Sequence, residues 1–442
     1  MDNGSDNNEI SSNTCNGNGE FGIGLNISNE NTLTENVCNE NGLFGIYLDC
    51  SDGNLISGGT CDDNGLTGIR TVCSNGNEIY ENTCNGNREH GIHLEASTLN
   101  TVSGNTCSGN LHIGIYLLDS HDNDVFENTC TGGSHGIYLN GSNENEVTMN
   151  VCNSNVHYGF VIYMSDDNVI TGNTCNGNEL SGIILYISHE NFVRDNMLSK
   201  NLAGGIYLAS SDSNTFSGNT LFQNGYGFYL TGSSSNEIYR NEIIENHIQA
   251  YEEDSIEMNF WYHQTLLIGN IWSDYIGVDF DLDGIGDTDI PWPGPGFDPY
   301  PLVVDDFDRD GLSASAEAII GTNPREADTD WDSFNDGDEW RLYFTDPTVY
   351  NEPQEVTEAV VAAVRKLVDS GDLSGNAAKP LIKKLDDAIA LMDKKNAWAA
   401  SKKLGDFIDA VNALIKSGRI PTEEGERLIT LAQGLIDVLL AM

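Results

Sequence analysis

The sequence predicts a mainly β protein: a parallel β-helix of about eleven coils, then calcium-binding loops, then a small α-helical bundle. Three observations carry this. Asparagines recur in columns every 22 or 23 residues through the first 250 positions, apolar residues recur in register with them, and the last 90 residues change to helical spacing. The first column runs Asn8, Asn31, Asn54, Asn77, Asn100, Asn123, Asn145, Asn168, Asn191, Asn214 and Asn236 without a miss. The second starts at Asn13 and is broken only by Gly59, and the third starts at Asn18 and is broken only by Gly133. A period this short does not accommodate a helical hairpin but matches one coil of a β-helix.

Within each coil an apolar residue follows two positions after the first-column Asn, as in Ile10, Leu33, Ile56 and Ile79. A second track follows a glycine, as in Gly45-Ile46-Tyr47-Leu48 and Gly205-Ile206-Tyr207-Leu208. Its period of two is that of a strand with one buried face. Asn suits the corners because it tolerates left-handed backbone angles, and stacked amides can bond to the coils above and below. At about 4.8 Å per coil, eleven coils make a rod roughly 50 Å long.

Formal charge is -48, and residues 1–304 carry only Arg70, Arg88, Arg194, Lys200 and Arg240 as bases. That excludes nucleic acid as a partner, since phosphate contacts need clustered cations. Hard cations and neutral glycans fit better, and a salt-rich habitat is a second source of acidity. No stretch approaches the roughly 20 apolar residues of a membrane span. The chain starts inside a coil, so an export signal and an N-terminal cap are expected to precede it.

Eight of the ten cysteines form a column (Cys15, Cys38, Cys61, Cys84, Cys107, Cys130, Cys152, Cys175) that continues as Leu198, Leu221 and Ile243. A position filled alternatively by Leu or Ile is an inward apolar slot, so the column reads as a ladder of buried thiols. Vertical disulfides and soft-metal binding are the alternatives. Cys50 and Cys73 stand apart at equivalent turn positions and are the expected disulfide.

After the rod, Asp306, Asp308, Asp310 and Glu317 occupy positions 1, 3, 5 and 12 of a loop with Gly311 at 6. In that spacing alternate side chains converge on one calcium and the last acid binds through both oxygens. Asp328, Asp330, Asp332, Asp336 and Glu339 repeat it, and Asp279, Asp281, Asp283 and Asp287 form an earlier copy without the final acid. Together with the connections Gly321-Thr322-Asn323-Pro324 and Ala327-Asp328-Thr329-Asp330, residues 305–350 resemble thrombospondin type-3 calcium repeats.

Upstream, Gly269-Asn270-Ile271-Trp272-Ser273-Asp274-Tyr275 and Asp298-Pro299-Tyr300-Pro301-Leu302 resemble the closing segment of NosD-type β-helix proteins, a likeness that spans residues 1–304 with the coils. It implies an exported, right-handed β-helix, and a copper-handling role in that family's named member. From Glu352 onward, Val360-Val364-Leu367, Leu381-Leu385-Ile389-Met392 and Phe407-Val411-Leu414 have helical spacing, with breaks that divide the tail into about four helices. Ala410-Val411-Asn412-Ala413-Leu414-Ile415 and Lys416-Ser417-Gly418-Arg419-Ile420 resemble the FIMAH domain. Expected divisions are therefore 1–250 for the repeats, 251–304 for the closing segment, 305–350 for the calcium repeats and 351–442 for the helical domain.

Three sites are candidates on the rod. Tyr47, Tyr116, Tyr138, Tyr207 and Tyr229 form an outward stripe on which sugar rings could stack, although Tyr is also simply a good exposed strand former. Arg70, His93, Asp49 and Glu95 offer a cation, an imidazole and two carboxylates, the parts of a polysaccharide lyase or C5-epimerase acting on uronates. The Asp-Pro-His motif of mannuronan epimerases is absent. His90, His112, His135 and His157 fall within a residue of one corner and could hold copper or zinc. The leading expectation is an extracellular or cell-surface protein that binds glycans or other surface components and is stabilised by calcium. Catalysis and copper handling are its rivals.

Overall fold

A computed structural model describes residues 4–279, 284–291, 296–303, 310, 312, 317, 320–324, 326–340, 345–370 and 373–441. They divide into two compact units, Met1–Ser273 with Thr288–Leu302, and Asp274–Asp287 with Val303–Met442.

The first unit is a parallel β-solenoid. One 11-stranded sheet is built of three-residue strands from Glu9–Ser11 to Glu237–Tyr239, and a second of longer strands from Phe21–Asn26 to Ile248–Glu253. A third face runs as single bridges from Thr14↔Val37 to Thr174↔Met197, then becomes a four-stranded sheet ending at Ile271–Trp272. The register is strict: Ile46 pairs with Ile69, Ile69 with Ile92, and so on, so from the second coil onward the apolar columns close into buried stacks.

The asparagines act as expected in one respect and differently in another. Their amides form continuous ladders: the Asn145 N–H and Nδ2 both donate to Asn168 Oδ1 at 2.9 and 3.1 Å, and Asn168 repeats this with Asn191. The left-handed corner, however, falls on the residue before each ladder asparagine. Glu30, Glu35 and Glu40 have φ of 55°, 54° and 55° ahead of Asn31, Asn36 and Asn41. The chain turns on that residue so that the next side chain points inward, where its amide supplies partners to buried backbone groups.

A fourth ladder of serines does the same work at the remaining corner, with the Ser51 N–H donating to Ser74 Oγ at 2.9 Å and Ser51 Oγ–H to the Asp49 carbonyl at 2.9 Å. Cys50 and Cys73, each at φ 46°, are its left-handed residues and stand as exposed free thiols. The other cysteine column from Cys38 to Cys175 is buried and unbridged. Its side chains pack against glycine backbone: a Cβ on Gly45 would lie 2.8 Å from Cys61 Cβ, and one on Gly205 would lie 2.8 Å from Leu221 Cδ2. Burial pushes the Cys84 and Cys130 thiols up.

That glycine explains the geometry of the long strands. In Phe44-Gly45-Ile46-Tyr47, strict alternation would place Phe44 and Ile46 on one side. Instead Gly45 takes an inward place where no Cβ fits, and Phe44 and Tyr47 both project outward with their rings stacked at 5.3 Å.

Asp298 closes the solenoid. Fully buried, it accepts hydrogen bonds from Trp272 Nε1 (2.9 Å), the Asn270 N–H (2.8 Å) and the Tyr300 N–H (2.9 Å), and it fills the space where Gly269 has no side chain. Burial nevertheless pushes its carboxyl up to about 6. A folded-state pKa above the unfolded value means stability is full below about pH 4 and is lost as pH rises through about 6. Thermal unfolding of wild type and Asp298→Asn across that range should therefore show a difference that changes by about 2–3 kcal/mol. A pH-independent difference would remove Asp298 as the cause.

Among the described residues, the C-terminal part of the second unit has four long helices: α1 (Pro353–Ser370), α2 (Gly375–Met392), α3 (Ala397–Lys416) and α4 (Thr422–Ala441). Ser374 Oγ caps α2 by accepting from the Ala377 N–H, and Asn396 Oδ1 caps α3 by accepting from the Ala399 N–H. Their apolar faces meet in one core that includes Val360, Leu385, Phe407 and Leu435.

Candidate functional site

The outer face of the long-strand sheet carries three side-chain columns, set by the glycine kink. The middle column contains the predicted stripe in direct register: Tyr47 pairs with Arg70, Arg70 with His93, His93 with Tyr116, Tyr116 with Tyr138, and further along Tyr207 with Tyr229 and Tyr229 with Tyr251. Beside it lies a column of the residues that precede each glycine, among them the corner histidines His90 and His135 and also Phe21, Phe44, Tyr158 and Tyr226, which sequence reasoning missed. Its signal was present, since these rings recur at the coil period. A third column contributes Tyr163 and Tyr186, stacked at 5.5 Å.

The rings form clusters toward the two ends of the face, because Val161 and Ile184 take the middle column between Tyr138 and Tyr207. At one end Phe21, Phe44 and Tyr47 lie 4.9–5.7 Å apart, and at the other Tyr207, Tyr226, Tyr229 and Tyr251 interlock at 5.0–6.2 Å. Tyr229 Oη–H donates to Glu253 Oε1 at 2.6 Å, which pushes the phenol up. Tyr116 Oη accepts from Asn140 Nδ2 at 2.9 Å, fixing that ring's outer edge. Tyr47, Tyr116, Tyr138, Tyr207 and Tyr229 are all half-buried, flanked by neighbours with part of each ring open.

The predicted catalytic group is only partly assembled. Arg70 forms an ion pair with Glu95, and its guanidinium lies 5.3 Å over the Phe44 ring. Asp49 is in register with Val72, which separates it from Glu95. His93 is 5% exposed, covered by Tyr116 stacked at 4.7 Å and by His90 edge-on at 5.1 Å. Burial, reinforced by neighbouring His90 and Arg70, pushes its imidazole down to about 3. His93 is thus a neutral ring held inside the stripe.

The corner histidines stand as two pairs: His90 with His112, centroids 5.9 Å apart, and His135 with His157 at 5.3 Å. Burial pushes His90 down to about 3 and His135 down to about 4.

Two carboxylate groups in the second unit lie close enough to hold a metal ion, each with ligand atoms within 4.8 Å of one another. One is Asp328, Asp330 and Asp332. Glu339, at the twelfth loop position, is not one of the three but lies near enough to feel Asp332 and Asp330; it is fully buried, with Oε1 accepting from Asn351 Nδ2 (3.0 Å) and Thr345 Oγ1 (2.9 Å) and Oε2 lacking a hydrogen-bond partner among the described residues. Burial first, then Asp332 and Asp330, push Glu339 up to about 8, and Asp330 rises to about 6 chiefly by burial.

The other group joins the two loops: Asp310 and Glu317 of the first meet Asp336 of the second, all three buried. Spacing alone assigned Asp336 to its own loop. Asp306, Asp308, Asp281 and Asp283 lie outside the described residues. Asp279 Oδ2 accepts from the Gly284 N–H at 2.7 Å, and the Asp287 N–H donates to the Val278 carbonyl at 2.9 Å. All donors in these groups are carboxylate oxygens, the chemistry of a hard cation. Among the described residues no helix is long and apolar enough to cross a membrane.

The family described as periplasmic copper-binding protein (NosD) matches residues 1–132 and 85–277, and the FIMAH domain matches residues 357–437. No curated protein sequence matches the chain. Among solved structures, the Dettilon tailspike protein aligns with 54% of this chain at 14% identity and a TM-score of 0.46. This chain spans 58% of that tailspike's length. The periplasmic alginate epimerase AlgG, as a double mutant, aligns with 59% of this chain and 74% of its own at 15% identity and a TM-score of 0.39. DFA-IIIase from Arthrobacter chlorophenolicus A6, without its lid and in complex with GF2, aligns with 44% of this chain and 53% of its own at 14% identity and a TM-score of 0.36.

Proposed function

Starting from its place in the NosD family, to which residues 1–277 belong, and from its FIMAH domain, we propose that this chain is an exported glycan-binding protein whose ligand lies along the outer face of the long-strand sheet. One observation carries the reading: aromatic rings in register at coil spacing, half-covered by each other and open on the outer side. The apolar face of a sugar ring packs on such a surface, and rings already held by their neighbours lose little freedom on binding. Repeating rings suit a repeating ligand.

The charge selects among glycans. The whole chain's formal charge is -48, its first 304 residues carry only Arg70, Arg88, Arg194, Lys200 and Arg240 as bases, and Arg70 is tied to Glu95, so the rod repels a polyuronate and accepts a neutral polysaccharide. Binding is favoured over catalysis because His93 is buried and neutral, so an uronate α-proton meets no accessible imidazole. Copper does not enter the reading, since the corner histidines form pairs rather than a group of three converging donors. Calcium does, held by Asp328, Asp330, Asp332 and Glu339, where the buried Glu339 oxygen provides the remaining donor. An extracellular or surface location follows, where calcium and polysaccharide are both plentiful.

The test separates binding from turnover. Purified protein incubated with neutral and acidic polysaccharides should yield no ultraviolet absorbance from unsaturated product. Product that disappears in Arg70→Ala and His93→Phe would replace the binding reading by the lyase one.

A further inference from the structure

The cation loop and the helical bundle share residues. Asp332, at position 5 of the loop Asp328–Glu339, accepts the Phe334 N–H through Oδ1 at 2.9 Å and the Asn351 N–H through Oδ2 at 2.8 Å. Asn351 lies two residues before α1, and its side chain donates to Glu339 at 3.0 Å. Phe334, from the middle of the same loop, is 3% exposed and belongs to the bundle core with Val356, Val360 and Leu385. The residues that would hold the ion therefore also hold the start of α1 and seat an aromatic plug in its core.

We propose that cation binding at Asp328, Asp330, Asp332 and Glu339 latches the FIMAH bundle, so that the bundle is stable with the ion and loosened without it. The proposal rests on the reading of this loop as a calcium site, and two features support it independently of sequence spacing. Three carboxylates, Asp328, Asp330 and Asp332, converge, and beside them the Glu339 Oε2 atom is buried without a hydrogen-bond partner among the described residues, a place that a cation fills and water-exposed acids do not need. Without the ion the carboxylates repel, and the side chains free to separate are the ones tied to Asn351 and Phe334. The loop's backbone is already turned for this, with Trp331 and Ser333 at φ 66° and 78°. Calcium would then act on the module that follows the rod as a switch on its order.

The experiment uses the full chain, titrated with calcium chloride against a chelator, with calorimetry for binding and helical ellipticity for thermal unfolding of the bundle. At roughly a hundredfold excess over Kd, calcium should raise the helical midpoint by about 10 °C or more. Asp328→Asn, at a side chain that accepts the loop's own Asp332 and Ser333 N–H groups, should lose the shift while keeping the calcium-free midpoint. Phe334→Leu should still bind calcium but show a smaller shift. Calcium binding with no change in the helical midpoint overturns the latch and leaves the site standing. No binding that depends on Asp328 overturns the site and the latch together.

Discussion

Asn196→Leu should unfold the solenoid far more readily than its conservative volume suggests, by at least about 4 kcal/mol. Asn196 Oδ1 accepts the Asn173 N–H at 2.8 Å and Asn173 Nδ2–H at 3.0 Å. Its own Nδ2 donates to the Ile170 and Arg194 carbonyls and to Asn219 Oδ1 at 2.9–3.0 Å. The residue is 1% exposed, so leucine leaves several buried groups without partners, each worth roughly 1–3 kcal/mol. Coils touch only their neighbours, so a broken rung in the ninth coil weakens the coupling of the coils on either side. The adjacent Asp195→Gly is the contrasting control: at φ 55° glycine relieves the left-handed strain, and the change should be close to neutral. Denaturant unfolding of the two variants checks this, and equal midpoints would mean that the amide ladder does not hold the rod together.

The same pair of neighbours shows what was legible in the sequence. The repeat, its asparagine columns and its apolar tracks were all visible because each coil places the same residue in the same slot, and the register is strict enough that composition mirrors structure. Which residue turns the corner was not visible, because Glu35 and Asn36 both recur in polar positions and only the backbone shows that the first is left-handed. The serine ladder at Ser51 and Ser74 was equally periodic, but serine is common enough in loops to pass as turn chemistry.

In the candidate site, period-two reasoning found Tyr47 and Tyr207 and missed Phe44 and Tyr226. It has no term for a glycine that is turned inward because cysteine or leucine packs against it. It also gave His93 as outward-facing, which is correct for its Cβ direction, yet Tyr116 and His90 cover the ring. The meeting of Asp336 with Asp310 and Glu317 joins residues from two loops that spacing treats separately. The helical tail was legible because apolar residues at helical spacing have no competing period there.

Removing both Tyr207 and Tyr229 should weaken retention on a neutral polysaccharide by about tenfold or more, with little loss of fold. Each ring offers a stacking surface worth roughly 0.5–1.5 kcal/mol beyond its buried area, so two together reach that factor. Their removal is tolerable because both project from the solenoid's outer face while its core columns, Phe228 and Leu230, stay in place. Tyr251 and Tyr226 would lose stacking partners, so the effect should spread along the face rather than stop at two coils. Tyr80→Ala, on the short-strand sheet, removes a ring of the same chemistry from a different face and should leave retention unchanged. Loss in both variants alike would point to general stickiness of tyrosine rather than to a platform.

The most direct measurement is a binding isotherm for wild type and the Tyr207→Ala/Tyr229→Ala variant against matched neutral and polyuronate polysaccharides. The account predicts saturable binding of a neutral chain by wild type, at least about tenfold weaker in the variant, with little affinity for the polyuronate. Equal affinity of the two proteins for the neutral chain, or a preference for the polyuronate, would contradict it.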